Sequence, residues 1–129
     1  MIDMSVKDMT DQQLNRELAE LMGYIVTEGE HDLWPEWYEL KKNGVVQSGD
    51  LYKDWAWDNA PDYCSDTAAS LEVQAKAIEV DAASYVQNLQ EIKWGHMFTE
   101  TLLVRIAELI NASPRERAEA AYMTLSSRV

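Results

Sequence analysis

The chain has 129 residues, is 47% hydrophobic and 26% charged, and carries 23 acids against 11 bases, for a formal net charge of -12. That length suits a single hydrophobic core, and so apolar a chain with only five Gly and three Pro is not a disordered one. Acidity on this scale repels phosphate backbones, which proteins hold chiefly through Lys and Arg, so direct binding to nucleic acid is not expected.

The N-terminus reads MIDMSVKDMTDQ, with acids where a signal peptide carries lysine or arginine. The longest apolar-leaning stretch, Thr101 to Ile110, is interrupted by Arg105 and Glu108. Neither a leader nor a membrane span is expected. Cys64 is the one cysteine, which rules out an intrachain disulfide and suits a reducing, cytoplasmic compartment. We expect one domain over 1–129, with residues 1–9 flexible.

Thr10-Asp11-Gln12-Gln13 is a capping box, and Leu14, Leu18, Leu21 and Met22 follow on one helical face before Gly23. This predicts a helix over 10–22. Tyr24-Ile25-Val26-Thr27 reads as a short strand, and Asn43-Gly44, whose residues tolerate positive φ, predicts a hairpin over 36–47. Ser48-Gly49 and the run to Asp66 then read as an irregular loop. Ser65 or Asp66 caps a predicted helix over 66–80, with Leu71, Ala75, Ile78 and Ala82 along one side. Residues 85–92 have mixed propensity and are assigned to a strand, whereas Phe98 to Ile110 fits either period; 85–110 is expected to contribute to the sheet. Ser113-Pro114-Arg115-Glu116 combines a serine cap, a proline at the first helical position and a glutamate at the third, opening a helix over 113–126 with a narrow apolar stripe of Ala118, Ala121, Tyr122 and Leu125. The expected fold is α+β: three helices on a small, mostly antiparallel sheet, a helix-sheet-helix sandwich.

The motifs that announce enzymes are missing: there is no GxGxxG, P-loop, HExxH or GxSxG, and neither His31 nor His96 has a partner at metal-ligand spacing. No catalytic residue, cofactor or metal is implied, and the chain is not expected to be an enzyme. Asp54, Asp58, Asp62 and Asp66 recur every four residues, but Asn59-Ala60-Pro61 argues against a helix there, so they read as a solvated acidic loop. Cys64 beside acids reads as a small core thiol and not as a nucleophile. Trp55-Ala56-Trp57 puts two indoles on one side if the segment is extended, where they either close the core or form a binding hot spot rimmed by the aspartates.

Two stretches carry a family likeness: Pro61-Asp62-Tyr63-Cys64-Ser65-Asp66-Thr67-Ala68-Ala69-Ser70-Leu71-Glu72-Val73 and Ala112-Ser113-Pro114-Arg115-Glu116-Arg117-Ala118-Glu119-Ala120-Ala121. Together with Leu14 to Gly23 they resemble small phage proteins of the phage ABA sandwich family, NinX-like proteins among them. The likeness covers about half of the chain. Cys64 stands where that family usually has serine or threonine, residues 34–57 are longer, and residues 85–111 do not align. The resemblance implies a phage or prophage origin and a helix-sheet-helix sandwich, and carries over no activity.

Acidity and small size then suggest an anti-defence inhibitor. The chain would bind a host protein, such as a nucleic-acid-binding component of an antiphage or CRISPR system, through an acidic surface of Trp55, Trp57, Asp54, Asp58, Asp62 and Asp66 that imitates phosphate charge. The alternative is an oligomeric binder sequestering a small signalling nucleotide: Trp57, or Trp55, would stack on the base, and arginines such as Arg105, Arg115 and Arg117 would hold phosphates at the helix start of Ser113.

Overall fold

The computed structural model describes residues 5–95 and 103–127. A 3-10 turn (Val6–Asp8) leads into α1 (Asp11–Leu21), β1 (Tyr24–Glu28), β2 (Tyr38–Lys42), β3 (Val45–Asp50), α2 (Lys53–Asp58), α3 (Thr67–Trp94), α4 (Leu103–Ile110) and α5 (Pro114–Ser126). The class is α+β, with helices packed on a three-stranded antiparallel sheet of order β1-β2-β3.

The capping box at Thr10 forms as the sequence predicts: the Gln13 N–H donates to Thr10 Oγ1 at 3.1 Å, and the Thr10 N–H donates to Gln13 Oε1 at 2.9 Å. Leu14 and Leu18 are fully buried, and each such side chain removed from water contributes about 1.5–3 kcal/mol. Gly23 ends α1 at φ +97°, and a Cβ there would sit 2.5 Å from Asn43 Oδ1. Asn43 and Gly44 both adopt positive φ, as a primed hairpin turn requires. The predicted hairpin over 36–47 is shifted, since Ser48 and Gly49 belong to β3 instead of breaking it. A register shift between Leu40 and Lys41 absorbs the extra residue.

Two predicted features of the middle of the chain are corrected. The segment after β3 is not wholly irregular, because α2 forms over Lys53–Asp58 and buries Ala56 with Val26 and Leu40 beneath the sheet. Tertiary burial, not propensity, holds so short a helix; Pro61 restricts residue 60 and prevents its extension. The second correction concerns 85–110, which adds no strand within the described residues. Residues 85–94 continue α3, 103–110 form α4, and 96–102 lie outside the described residues. Helix 66–80 does end near its predicted boundary, because Asp81 has a non-helical backbone at φ −162°, ψ 88°. Its carboxylate then accepts from the Ser84 N–H at 3.1 Å and caps a second arm. Tyr85, Leu89 and Ile92 recur at helical spacing in that arm and are buried.

The buried side of the first arm is Ala69, Ser70, Val73 and Ala77; Leu71, Ala75, Ile78 and Ala82, expected to line the packed side, face solvent. α5 is buried over far more than a stripe, from Arg117 through Ala121 and again at Thr124 and Leu125. It lies among α1, α3 and the 3-10 turn, where its alanines allow close approach. Residues 5–9 are not loose: Val6 is buried and Lys7 Nζ donates to Ile92 O at 3.0 Å. No described helix is long and apolar enough to cross a membrane.

Candidate functional site

α1 and α2 frame a groove. Because α2 is helical, Asp54 and Asp58 lie one turn apart on one face, and Pro61 turns the chain so that Asp62 follows them alongside α1. Arg16 Nη2 meets Asp54 at 3.3 Å, Gln12 Nε2 donates to Asp58 at 3.0 Å, and Asn15 Nδ2 donates to Asp62 at 2.9 Å. The result is a cleft of about 310 Å³ lined by Asp11, Asn15, Arg16, Trp57, Asp58 and Asp62. A second hollow of about 320 Å³ continues it past Arg16 to Glu17 and Asp54.

The structure thus brings Asp54, Asp58 and Asp62 together and assigns Asp66 elsewhere. Asp66 accepts from the Ala68 N–H at 3.3 Å as the cap of α3. Trp55 and Trp57 do not share a side, since two residues along a helix differ by about 200°. Trp57 packs inward against both core clusters with the Arg16 guanidinium 5.9 Å from its ring, whereas Trp55 points outward and meets Tyr52 edge-on at 4.5 Å. Sequence reasoning missed Asp11, Gln12, Asn15 and Arg16. Their signal was the polar face of α1 opposite Leu14 and Leu18, one turn of which holds Gln12, Asn15 and Arg16.

Asn15 also fixes the loop that follows. It accepts from the Cys64 N–H at 3.0 Å while donating to Asp62, so one side chain sets the position of both. Cys64 is buried, and burial pushes its thiol up to about 12, with Arg115 opposing and Asp11 and Asp62 adding to the rise. It is no thiolate nucleophile at neutral pH.

The arginines of the nucleotide reading are committed within the protein. Arg115 donates to Glu119 Oε2 at 2.8 Å, to Asp11 Oδ1 at 2.6 Å, and to the Val6 and Met9 carbonyls at 3.1 and 2.7 Å. Burial pulls its pKa down, but Glu119 and Asp11 outweigh that and hold it above the ordinary value. Arg117 is 6% exposed and donates to Ser70 Oγ at 2.9 Å and to the Ala112 carbonyl. The start of α5 is also filled: Glu116 Oε1 accepts from the Ser113 N–H at 2.9 Å and from Lys93 Nζ at 3.1 Å. Arg115 and Arg117 are therefore corrected from phosphate ligands to structural ties, and neither is placed with Trp57. Arg105 lies on α4.

Among the described residues, no group of three or more His, Cys, Asp or Glu is arranged to hold a metal ion. Compared with protein-family models, curated proteins and solved structures, the chain matches none.

Proposed function

We propose that this chain is a non-enzymatic binding protein that docks its acidic α1/α2 groove on a basic surface of a protein partner and thereby inhibits it. The observation that carries the reading is the alignment of Asp54, Asp58 and Asp62 along one groove by two short helices, with Asp11 and Glu17 nearby and Arg16 the cation among its lining residues. A row of carboxylates at helical and loop spacing offers a basic nucleic-acid-binding surface the charge it meets on a phosphate backbone. The phage origin that the resemblance to phage ABA sandwich proteins implies is what suggests a host factor of antiphage defence as that partner. The nucleotide alternative gains no support, because Arg115 and Arg117 are engaged in the fold.

The test is affinity capture from host lysate followed by titration of the captured partner. Binding is expected to weaken steeply as salt rises from about 50 to 300 mM, because exposed charge pairs are screened over that range. Asp54→Asn/Asp58→Asn/Asp62→Asn is expected to weaken it by about tenfold or more, at roughly 0.5–1 kcal/mol per rim charge. Salt-insensitive binding would sink the proposal.

A further inference from the structure

Away from the groove, the sheet brings a second set of side chains to one of its ends. Glu28 at the end of β1 pairs with Tyr38 at the start of β2, and Tyr38 pairs with Asp50 at the end of β3. The connection over 29–37 and the start of α2 therefore emerge at the same end. That end is rich in exposed apolar surface: Leu33 is 79% exposed, Trp34 46%, Tyr52 56% and Trp55 53%. Large apolar side chains exposed at one end of the sheet, when the same molecule buries Tyr63 and Tyr85 almost completely, point to an interaction site.

The scaffold beneath them is braced. The Gly29 N–H donates to the Trp37 carbonyl at 2.8 Å and closes the base of the loop. The Trp37 ring packs against His31 at 4.5 Å, tilted by 41°, and lies over Gly49, where a Cβ would collide with it. His31 Nδ1 in turn accepts from the Leu33 N–H at 3.1 Å. On the other side, Asp50 accepts from the Leu51 N–H at 2.8 Å before the chain enters α2. Bracing of this kind lowers the ordering cost of binding.

Charge selects the occupant. From Glu28 to Leu40 the chain holds Glu28, Glu30, Asp32, Glu36 and Glu39 and not one lysine or arginine, and Asp50 and Asp54 flank Tyr52 and Trp55 with Lys53 as the single base between them. Indole faces among carboxylates favour guanidinium groups, which stack on the ring and are neutralised at its rim. The molecule already contains one such pairing two residues along α2, where the Arg16 guanidinium lies 5.9 Å from the Trp57 ring and meets Asp54. We propose that this end of the sheet, centred on Leu33, Trp34, Tyr52 and Trp55, is the docking surface for an arginine-rich segment of a protein partner. The inference rests on the reading of the chain as an acidic binder and adds to it the aromatic half of the interface and a preference for arginine over lysine.

The probe is a capped octa-arginine peptide, with octa-lysine as its counterpart, titrated calorimetrically into the full chain at about 150 mM salt. Octa-arginine is expected to bind more tightly than octa-lysine. Trp34→Ala and Trp55→Ala, both exposed positions, are each expected to weaken octa-arginine binding by about two- to fivefold, the size of an exposed cation–π contact, and the double variant by about tenfold. Glu72→Gln/Glu79→Gln on α3 removes two charges away from the surface and is expected to change little. Equal affinity for the two peptides, no loss in the tryptophan variants, or an equal loss in the α3 variant would each overturn the inference, as would a dimer that the tryptophan variants convert to monomer. The groove is separated by Asp58→Asn/Asp62→Asn, which spares Asp54 beside Trp55. Binding lost there but kept in Trp34→Ala/Trp55→Ala would leave the acidic groove standing and remove the aromatic surface, and the opposite pattern would do the reverse.

Discussion

Arg115 shows how much one side chain can hold. Its guanidinium ties α5 to the 3-10 turn through the Val6 and Met9 carbonyls and to α1 through Asp11, so a charge that the sequence offered as a phosphate ligand is a three-element junction. Arg117 plays a similar part between α3 and α5, and Arg117→Ala leaves Ser70 Oγ and the Ala112 carbonyl without it; we expect a loss of about 2–4 kcal/mol in urea unfolding. Cys64, raised to about 12, should react with a disulfide reagent at pH 8 at least about tenfold more slowly in the folded protein than in urea. Its effect on stability has a definite sign. The unfolded chain gives up the thiol proton first, so the contribution is complete below about pH 9 and is lost as pH climbs toward 12. Burial raises Tyr63 and Tyr85 in the same direction, so the urea midpoint should fall steadily above pH 9–10. Glu116 behaves oppositely. Burial pushes it up, but the Ser113 N–H and Lys93 outweigh that and hold it below the carboxylate range, so its contribution is lost as pH falls below about 4.5.

At the level of elements, α3 turns on Asp81. One residue leaves the helical region and its carboxylate caps the next arm, while Tyr85 Oη donates across the bend to Gln74 Oε1 at 2.7 Å. Asp81→Ala removes that cap and is expected to cost about 0.5–2 kcal/mol, read as a lower thermal midpoint with helical content largely kept. In the sheet, Gly49 is the position where Trp37 crosses β3. Gly49→Ala drives a methyl into the indole, and we expect destabilisation of about 1–3 kcal/mol together with a changed tryptophan emission. The same methyl would also disturb the tilted contact with His31 that braces the 29–37 loop.

The whole molecule divides its labour. α5, lined with alanines and buried between α1 and α3, carries the core, and Asn88 links the two longer helices by donating to Thr124 Oγ1 at 3.0 Å. The sheet, α1 and α2 carry the surfaces proposed for binding. This separation makes a further prediction testable by circular dichroism: the triple asparagine variant of the groove should keep the thermal midpoint within about 2–3 °C, because the Asp54 pair with Arg16 is solvent-exposed and such pairs contribute under about 1 kcal/mol. A large drop would mean that the groove acids are structural.

The sequence by itself determined what is local. Both capping boxes, the Asn43-Gly44 turn, the first strand and the end of the first arm of α3 are set by side chains within a few residues of the backbone groups they satisfy, and each is found where the sequence places it. Tertiary structure decided what depends on distant partners. The segment over 85–92 has no strong intrinsic preference, and it became helix because Tyr85, Leu89 and Ile92 find the core formed with α5. The aspartate series met Asn59-Ala60-Pro61 and read as loop, yet burial of Ala56 under the sheet was enough to wind α2 and place Asp54 and Asp58 on one face. Leu71 and Ile78 were assigned to the packed side because apolar residues at helical spacing define a face without saying what lies opposite it. The α3/α5 interface selected the small residues Ala69, Ser70, Val73 and Ala77 instead, since two helices approach closely only where side chains are small.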